Sequence, residues 1–148
     1  MLDPDVRRLL DGTSLAHLAT VLPDGAPHSV PVWVDPEGDR IAILTGPDSR
    51  KARNLRCDPR VALSISETDD GRADPFTLMR VTIRGEAQNL KDDLSMKDPW
   101  LARFPEQAIN FTLADFSFWR IVPRDARFVA GFGRIHNLSA ADLTAAAA

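Results

Sequence analysis

Apolar residues recur along this chain in two periods, and the switches between them mark its elements. Val6, Leu9 and Leu10 fall on one side of a short helix that Pro4 can open and Gly12 can end. From residue 14 the period becomes two. Leu15, His17, Ala19 and Val21 alternate with Ala16, Leu18, Thr20 and Leu22, which reads as a strand buried largely on both faces. Pro23-Asp24-Gly25 is a turn signal, and residues 27–34 alternate Ser29, Pro31 and Trp33 against His28, Val30, Val32 and Val34. Pro31 cannot donate to a ladder, so this strand belongs at an edge or carries a bulge. A second turn over residues 36–39 leads to a third strand at 40–45, giving an antiparallel meander.

A helix is predicted from about residue 49 to Cys57, stopped by Pro59, with Ala52 and Leu55 on its apolar side. Residues 61–66 form a short strand, and the polar, turn-rich stretch 67–75 is a mobile loop. Residues 77–90 make the longest strand-like run: Met79, Val81, Ile83 and Gly85 share one face, Arg80, Thr82 and Arg84 the other. Residues 91–104 are helical in pieces, broken by Pro99 and Pro105. Strand alternation returns over 111–122 around Phe116, Phe118 and Ile121, followed by Phe128, Val129, Gly131, Phe132 and Gly133. Six or seven short strands, two minor helices and many turns predict a mainly β fold, a small antiparallel split β-barrel with short flanking helices.

The 148 residues suit one domain, drawn at 1–138 with a flexible Ala-rich tail at 139–148. A hydrophobic share of 44% with 26% charged residues is that of a folded globular chain. A net charge of -3 weighs against a general nucleic-acid binder, which needs a broad basic field. Cys57 is the single cysteine, so no intrachain disulfide and no multi-thiolate metal site can form. Without a leader-like or spanning apolar segment, the expected setting is cytoplasmic, away from membranes.

The candidate chemistry concentrates in Thr45 and the stretch Ser49-Arg50-Lys51-Ala52-Arg53-Asn54. Helix starts present free N–H groups and positive partial charge, where cations are ordinarily disfavoured. Crowding Arg50, Lys51 and Arg53 there beside a hydroxyl points to a held anion, most simply a phosphate, or else to a solvated basic turn paired with Asp48 and Asp58. Of the histidines, His17 reads as structural, His28 as a surface or substrate-contacting group, and His136 as an exposed side chain. Their separations form no zinc constellation, and no nucleophile elbow supports a catalytic triad.

Six signatures arrive in order: Leu15-Ala16-His17-Leu18-Ala19-Thr20-Val21, Pro23-Asp24-Gly25-Ala26-Pro27, Val30-Pro31-Val32-Trp33, Thr45, Lys51-Ala52-Arg53-Asn54-Leu55 and Asp58-Pro59-Arg60-Val61-Ala62-Leu63. Together they resemble the pyridoxamine 5'-phosphate oxidase-like superfamily of split β-barrel flavoproteins, over roughly residues 6–130. The resemblance implies a homodimer with cofactor grooves at the subunit interface, a small-molecule substrate, and FMN or the deazaflavin F420 as cofactor. It assigns Pro31, Val32 and Trp33 to the strand beside the flavin ring, Trp33 serving as a ring wall or as a core or interface aromatic. Thr45 is implied as a hydroxyl for the ring or ribityl chain, Ser49, Arg50 and Lys51 as the phosphate turn, and Asn54 as a group one helical turn on. Gln88 and Trp119 are implied as polar and aromatic contributions from later strands, with Glu86 beside Gln88. The Gly131-Phe132-Gly133 segment is similar to the haem-utilisation branch, which implies an axial haem ligand as the other reading of His136, and the end of the chain lacks the basic ending associated with vitamin B6 oxidases. The expectation is an FMN-dependent oxidoreductase, with an F420-dependent reductase, a non-enzymatic flavin- or haem-binding protein, or a structural homodimer as alternatives. Arg80 or Arg84 could then draw an anionic substrate to the groove.

Overall fold

The computed structural model describes residues 4–12, 15–37, 40–113, 115–131 and 133–145. Gly38 and Asp39 of the second turn, Phe132 of the Gly-Phe-Gly segment and the last three alanines lie outside them. The chain folds as α1 (Pro4–Gly12), β1 (Leu15–Val21), β2 (Pro27–Trp33), β3 (Asp35–Glu37), β4 (Arg40–Thr45), α2 (Arg50–Cys57), β5 (Arg60–Ser66) and β6 (Arg80–Asn89). Then come α3 (Lys97–Arg103), α4 (Asn110–Leu113), β7 (Ser117–Val129), β8 (Ile135–Ser139) and α5 (Ala140–Ala145). Among the described residues one antiparallel sheet of eight strands runs in the order β2-β1-β5-β6-β7-β4-β3, with β8 also pairing β7. The fold is thus the mainly β, curled split-barrel architecture expected, with one strand more than the upper count.

The meander expected from the first three strands does not form. β2 pairs only with β1, while the strand at 40–45 pairs with β3 and with β7. The other edge of β1 is taken by β5, so β2 stays at the sheet edge, where the missing N–H of Pro31 costs nothing. The thirteen-residue β7 pairs with β6 along one edge and on the other serves two partners in succession, β4 along Ser117–Ile121 and β8 along Asp125–Val129. Residues 111–113 belong to α4 rather than to that strand, and residues 75–77 form a 3₁₀ turn before β6. A register shift between Arg84 and Gly85 bends β6; a Cβ on Gly85 would collide with the Val122 carbonyl, so glycine is required there.

The concave side of the sheet holds the main core, with Leu18, Val34, Ile43, Leu63, Ile65, Val81, Ile83, Ile121 and Phe128 fully buried and Val6, Leu9 and Leu10 of α1 closing one end. A second cluster lies under α3: Trp100 packs against Phe104 and Phe118, with ring centroids 4.7 and 5.6 Å apart. Leu143 of α5 is buried, and the helix is capped reciprocally by Ser139 and Asp142. No helix among the described residues is long and apolar enough to cross a membrane.

Candidate functional site

The turn before α2 spends its hydroxyls on itself. Ser49 sits at the N-cap in extended conformation, and its Oγ accepts from the Ala52 N–H at 3.2 Å. The Thr45 hydroxyl, buried at the end of β4, lies 2.8 Å from the same oxygen. Asn54 faces inward, with 1% of its surface accessible, and its amide donates to Thr20 Oγ1 on β1 at 3.0 Å. These three side chains therefore bind α2 to the barrel. The cations face outward. The side chains of Arg50, Lys51 and Arg53 make no hydrogen bond or ion pair with another described residue, whereas Arg56 donates to the Pro47 carbonyl at 2.9 Å. Lys51 is half-buried, and desolvation pulls its pKa below the ordinary lysine value. An anion would find unpaired charge here, although the pairing with Asp48 and Asp58 is not formed; Asp58 binds Arg60 instead, at 2.7 Å.

The convex side of the sheet assembles a different surface. Alternation along β2 turns Pro31 and Trp33 outward and buries Val32. Register then sets Trp33 opposite Leu15 and Pro31 opposite His17, with Ser64 on the far side of His17. β1 is therefore buried on one face, not two: Ala16, Leu18 and Thr20 point into the core while Leu15 and His17 are exposed. The side chain of His17 makes no hydrogen bond, ion pair or ring contact with another described residue, in contrast to the structural role expected of it. The signal for this was available in the strict period of two, but the apolar neighbours of His17 masked it.

Beside this face opens a cavity of about 730 Å³, bounded by α1, β1, β5 and the loop over residues 67–79. Leu9, Leu15 and Met79 supply apolar wall, and Arg8, His17 and Arg72 the basic groups. The loop is pinned by Asx-type turns at Asp69, Asp70 and Asp74, and by Glu67, which accepts the Met79 N–H at 2.7 Å. Arg72 pairs with Asp70 at 2.9 Å and holds that carboxyl well below the usual aspartate range, at about 2.

The remaining sequence candidates lie elsewhere. Gln88 and Glu86 line a second cavity, about 900 Å³, floored by Val21, Val61, Ala62 and Val122. Trp119 is a core side chain, 3% exposed. Arg84 is engaged by Asp125 through two contacts of 2.7 Å, and Arg80 by the Phe76 and Leu78 carbonyls. The ten residues expected around one cofactor thus fall into three neighbourhoods: the α2 start, the convex face of β2, and the β6–β7 region. His28 is half-buried with Nδ1 unpartnered, and His136 stacks on Phe128 with ring centroids 5.9 Å apart. No group of three metal-ligating side chains occurs among the described residues.

Comparison with known proteins selects among the readings. Haem oxygenase HutZ of Vibrio cholerae is 27% identical over 149 residues, covering 96% of this chain and 84% of that protein. The chloroplast haem oxygenase HOZ of Arabidopsis thaliana is 28% identical over 133 residues, 86% of this chain but 40% of the plant protein. The structure of a haem-binding protein from Mycobacterium smegmatis superposes with a TM-score of 0.84 at 24% identity, over 98% of this chain and 62% of that one, a likeness of fold. These findings correct the expectation of an FMN-dependent oxidoreductase and of a flavoprotein with FMN as cofactor, because the curated relatives are haem oxygenases. The physical reason lies in the turn: Thr45 and Ser49 satisfy each other and the helix end, so their presence does not select a flavin. The model of the pyridoxamine 5'-phosphate oxidase family matches residues 2–130, and the chain belongs to that family, within the part of its split-barrel fold that resembles the haem-utilisation proteins.

Proposed function

We propose that this protein binds haem against the convex face of the sheet, and that it acts in haem utilisation. The observation that carries the reading is the cavity beside that face. A porphyrin needs apolar walls, its two propionates need cations, and its iron needs a nitrogen or sulfur donor. Leu9, Leu15 and Met79 meet the first need and the guanidinia of Arg8 and Arg72 the second. The imidazole of His17 meets the third. The two carboxylates on the wall are already engaged, Asp70 by Arg72 and Glu67 by the Met79 N–H, which lessens their repulsion of propionates. The residues present therefore suit the group.

When bound, haem supplies an iron centre for electron exchange and dioxygen chemistry, which the side chains themselves lack. The chain's part is to orient the ring, neutralise its carboxylates and limit water. Arg8, already paired with Asp5 at 2.8 Å, and Arg72 would each exchange one carboxylate partner for another, so little new charge is buried. A homodimer is part of the same reading, supported by the large apolar side chains Leu15, Trp33 and Phe76 left exposed.

Spectrophotometric titration of the purified protein with haem tests the binding. A saturable change in the haem absorption band at one haem per chain, or per two chains if the sites are shared, is expected. Only the non-saturable change given by an unrelated protein would reject the reading. Incubation of the complex with a reductant in air then distinguishes ring opening, seen as decay of the haem band with release of iron, from storage, in which the band persists.

A further inference from the structure

We propose that the second cavity binds a metal-free linear tetrapyrrole, the ring-opened form of haem; the inference rests on the haem reading above and names a second ligand for the same sheet. The lining residues set the two cavities apart. The first presents an imidazole and a thioether. The second, among the described residues, presents no histidine, cysteine or methionine, and the chain has no tyrosine, so iron finds no strong donor there. In their place stand a carboxylate and an amide, Glu86 and Gln88. Both are exposed, and their side chains make no hydrogen bond with another described residue. In haem the four ring nitrogens point at the metal. A tetrapyrrole without iron instead carries pyrrole N–H groups, which need acceptors, and terminal lactam carbonyls, which need donors. An ionised Glu86 accepts, and the Gln88 amide can do either.

The opened molecule keeps both propionates, and the rim supplies a cation for them. Arg84 and Arg124 share one carboxylate, that of Asp125. Arg84 takes it through two contacts of 2.7 Å, whereas Arg124 reaches it only through Nε at 3.4 Å. The terminal nitrogens of Arg124 therefore have no partner among the described residues, and a propionate would give them one. Beneath the rim the floor is low and apolar. Ala19 and Ala62 face each other across the ladder, and Gly85 nearby carries no side chain. The next cross-strand pair along the same two strands is His17 and Ser64, which line the first cavity. The two cavities thus lie end to end on β1 and β5, with no bulky ridge between them. The second is also the larger, about 900 against 730 Å³, which suits a ring that has opened and can twist.

The test uses the full chain with biliverdin as the linear tetrapyrrole, and haem and oleate titrated in parallel. Binding is read by equilibrium dialysis and by the circular dichroism that biliverdin gains in its visible bands when held in one twist. One biliverdin per chain is expected, and one equivalent of haem should not displace it. Glu86→Ala/Gln88→Ala should weaken biliverdin binding by roughly ten-fold or more, the usual effect of losing hydrogen bonds to a charged group, and leave haem affinity unchanged. Arg124→Ala should weaken it less, again without an effect on haem, and Arg8→Ala/Arg72→Ala should weaken haem alone. Glu86, Gln88 and Arg124 are exposed, so far-ultraviolet circular dichroism should show these variants folded; Arg124→Ala carries the test if the double variant is not. Absence of biliverdin binding, an affinity unmoved by the cavity variants, displacement by one equivalent of haem, or oleate binding with the same dependence on these residues overturns the proposal. Failure to take up haem, with biliverdin still bound and weakened by Glu86→Ala/Gln88→Ala, removes the haem reading and leaves the second cavity assigned.

Discussion

The start of α2 and the convex face of β1 and β2 both offer groups that could hold a cofactor, yet the fold treats them in opposite ways. At α2 the neutral polar groups turn inward: Thr45 meets Ser49, Ser49 caps the helix, and Asn54 ties it to Thr20. On the convex face the polar group turns outward and meets nothing, as His17 does. A helix end has several unsatisfied N–H groups, and a nearby hydroxyl is drawn into serving them. A strand satisfies its backbone through the ladder, so its outward side chains remain available. Side chains in the two regions should therefore respond differently to substitution: stability for the first, ligand binding for the second.

The largest stability effect is expected at Asn54. Asn54→Ala removes the donor to a buried hydroxyl and should cost about 1–3 kcal/mol, measured by urea unfolding, with the haem affinity of the folded fraction unchanged. A weakened haem site in a stably folded Asn54→Ala variant would break the division. Ser49→Ala follows at about 1 kcal/mol, the usual worth of an N-cap, again without a change in haem affinity.

Lys51 gives a smaller effect of opposite sign. Its folded pKa lies below the unfolded value because burial penalises the charge, so the unfolded chain holds more protons between the two values and stability rises with pH through that window. Lys51→Met should raise the melting temperature slightly at neutral pH, and the advantage should shrink as pH approaches that of free lysine. A lower melting temperature across the whole range would instead mean that the ammonium has a stabilising partner.

Asp70 gives the smallest effect. Its carboxyl is held at about 2 by Arg72, so the contribution of the pair is complete above the ordinary aspartate range and is lost as pH falls through about 2. NMR titration of Arg72→Gln should return Asp70 toward its ordinary value. No change in the midpoint would show that the pair does not organise the loop beside the cavity.

Much of this was legible in the residues. Pro31 announced an edge strand, and β2 is one; Met79, Val81 and Ile83 were separated from Arg80, Thr82 and Arg84 by period alone, as the buried face of β6 confirms. Pairing was less legible, because alternation tells which face a strand buries but not which neighbour it chooses; nothing in residues 40–45 indicates that β4 passes over β2 to reach β7. The site was legible only in parts. Arg50 and Arg53 carry exposed charge and Lys51 a half-buried one, but Asn54 and Trp119 are buried, and no local pattern distinguishes a buried amide from a binding one. His17 was misplaced because Ala16, Leu18 and Ala19 make its strand look wholly buried, whereas β5 and β2 cover only the edges of β1 and leave its outer face open.

The central claim is that the convex face, not the α2 turn, holds the prosthetic group, and that the group is haem. Its most direct test is a competition in which the apoprotein is offered equimolar haem and FMN, followed by native mass spectrometry of the chain and of an Arg8→Ala/Arg72→Ala variant. Haem retained by the unsubstituted chain, and lost or much reduced in the double variant, is the predicted result. Retention of FMN in preference to haem, or haem retention unaffected by the two substitutions, would contradict it.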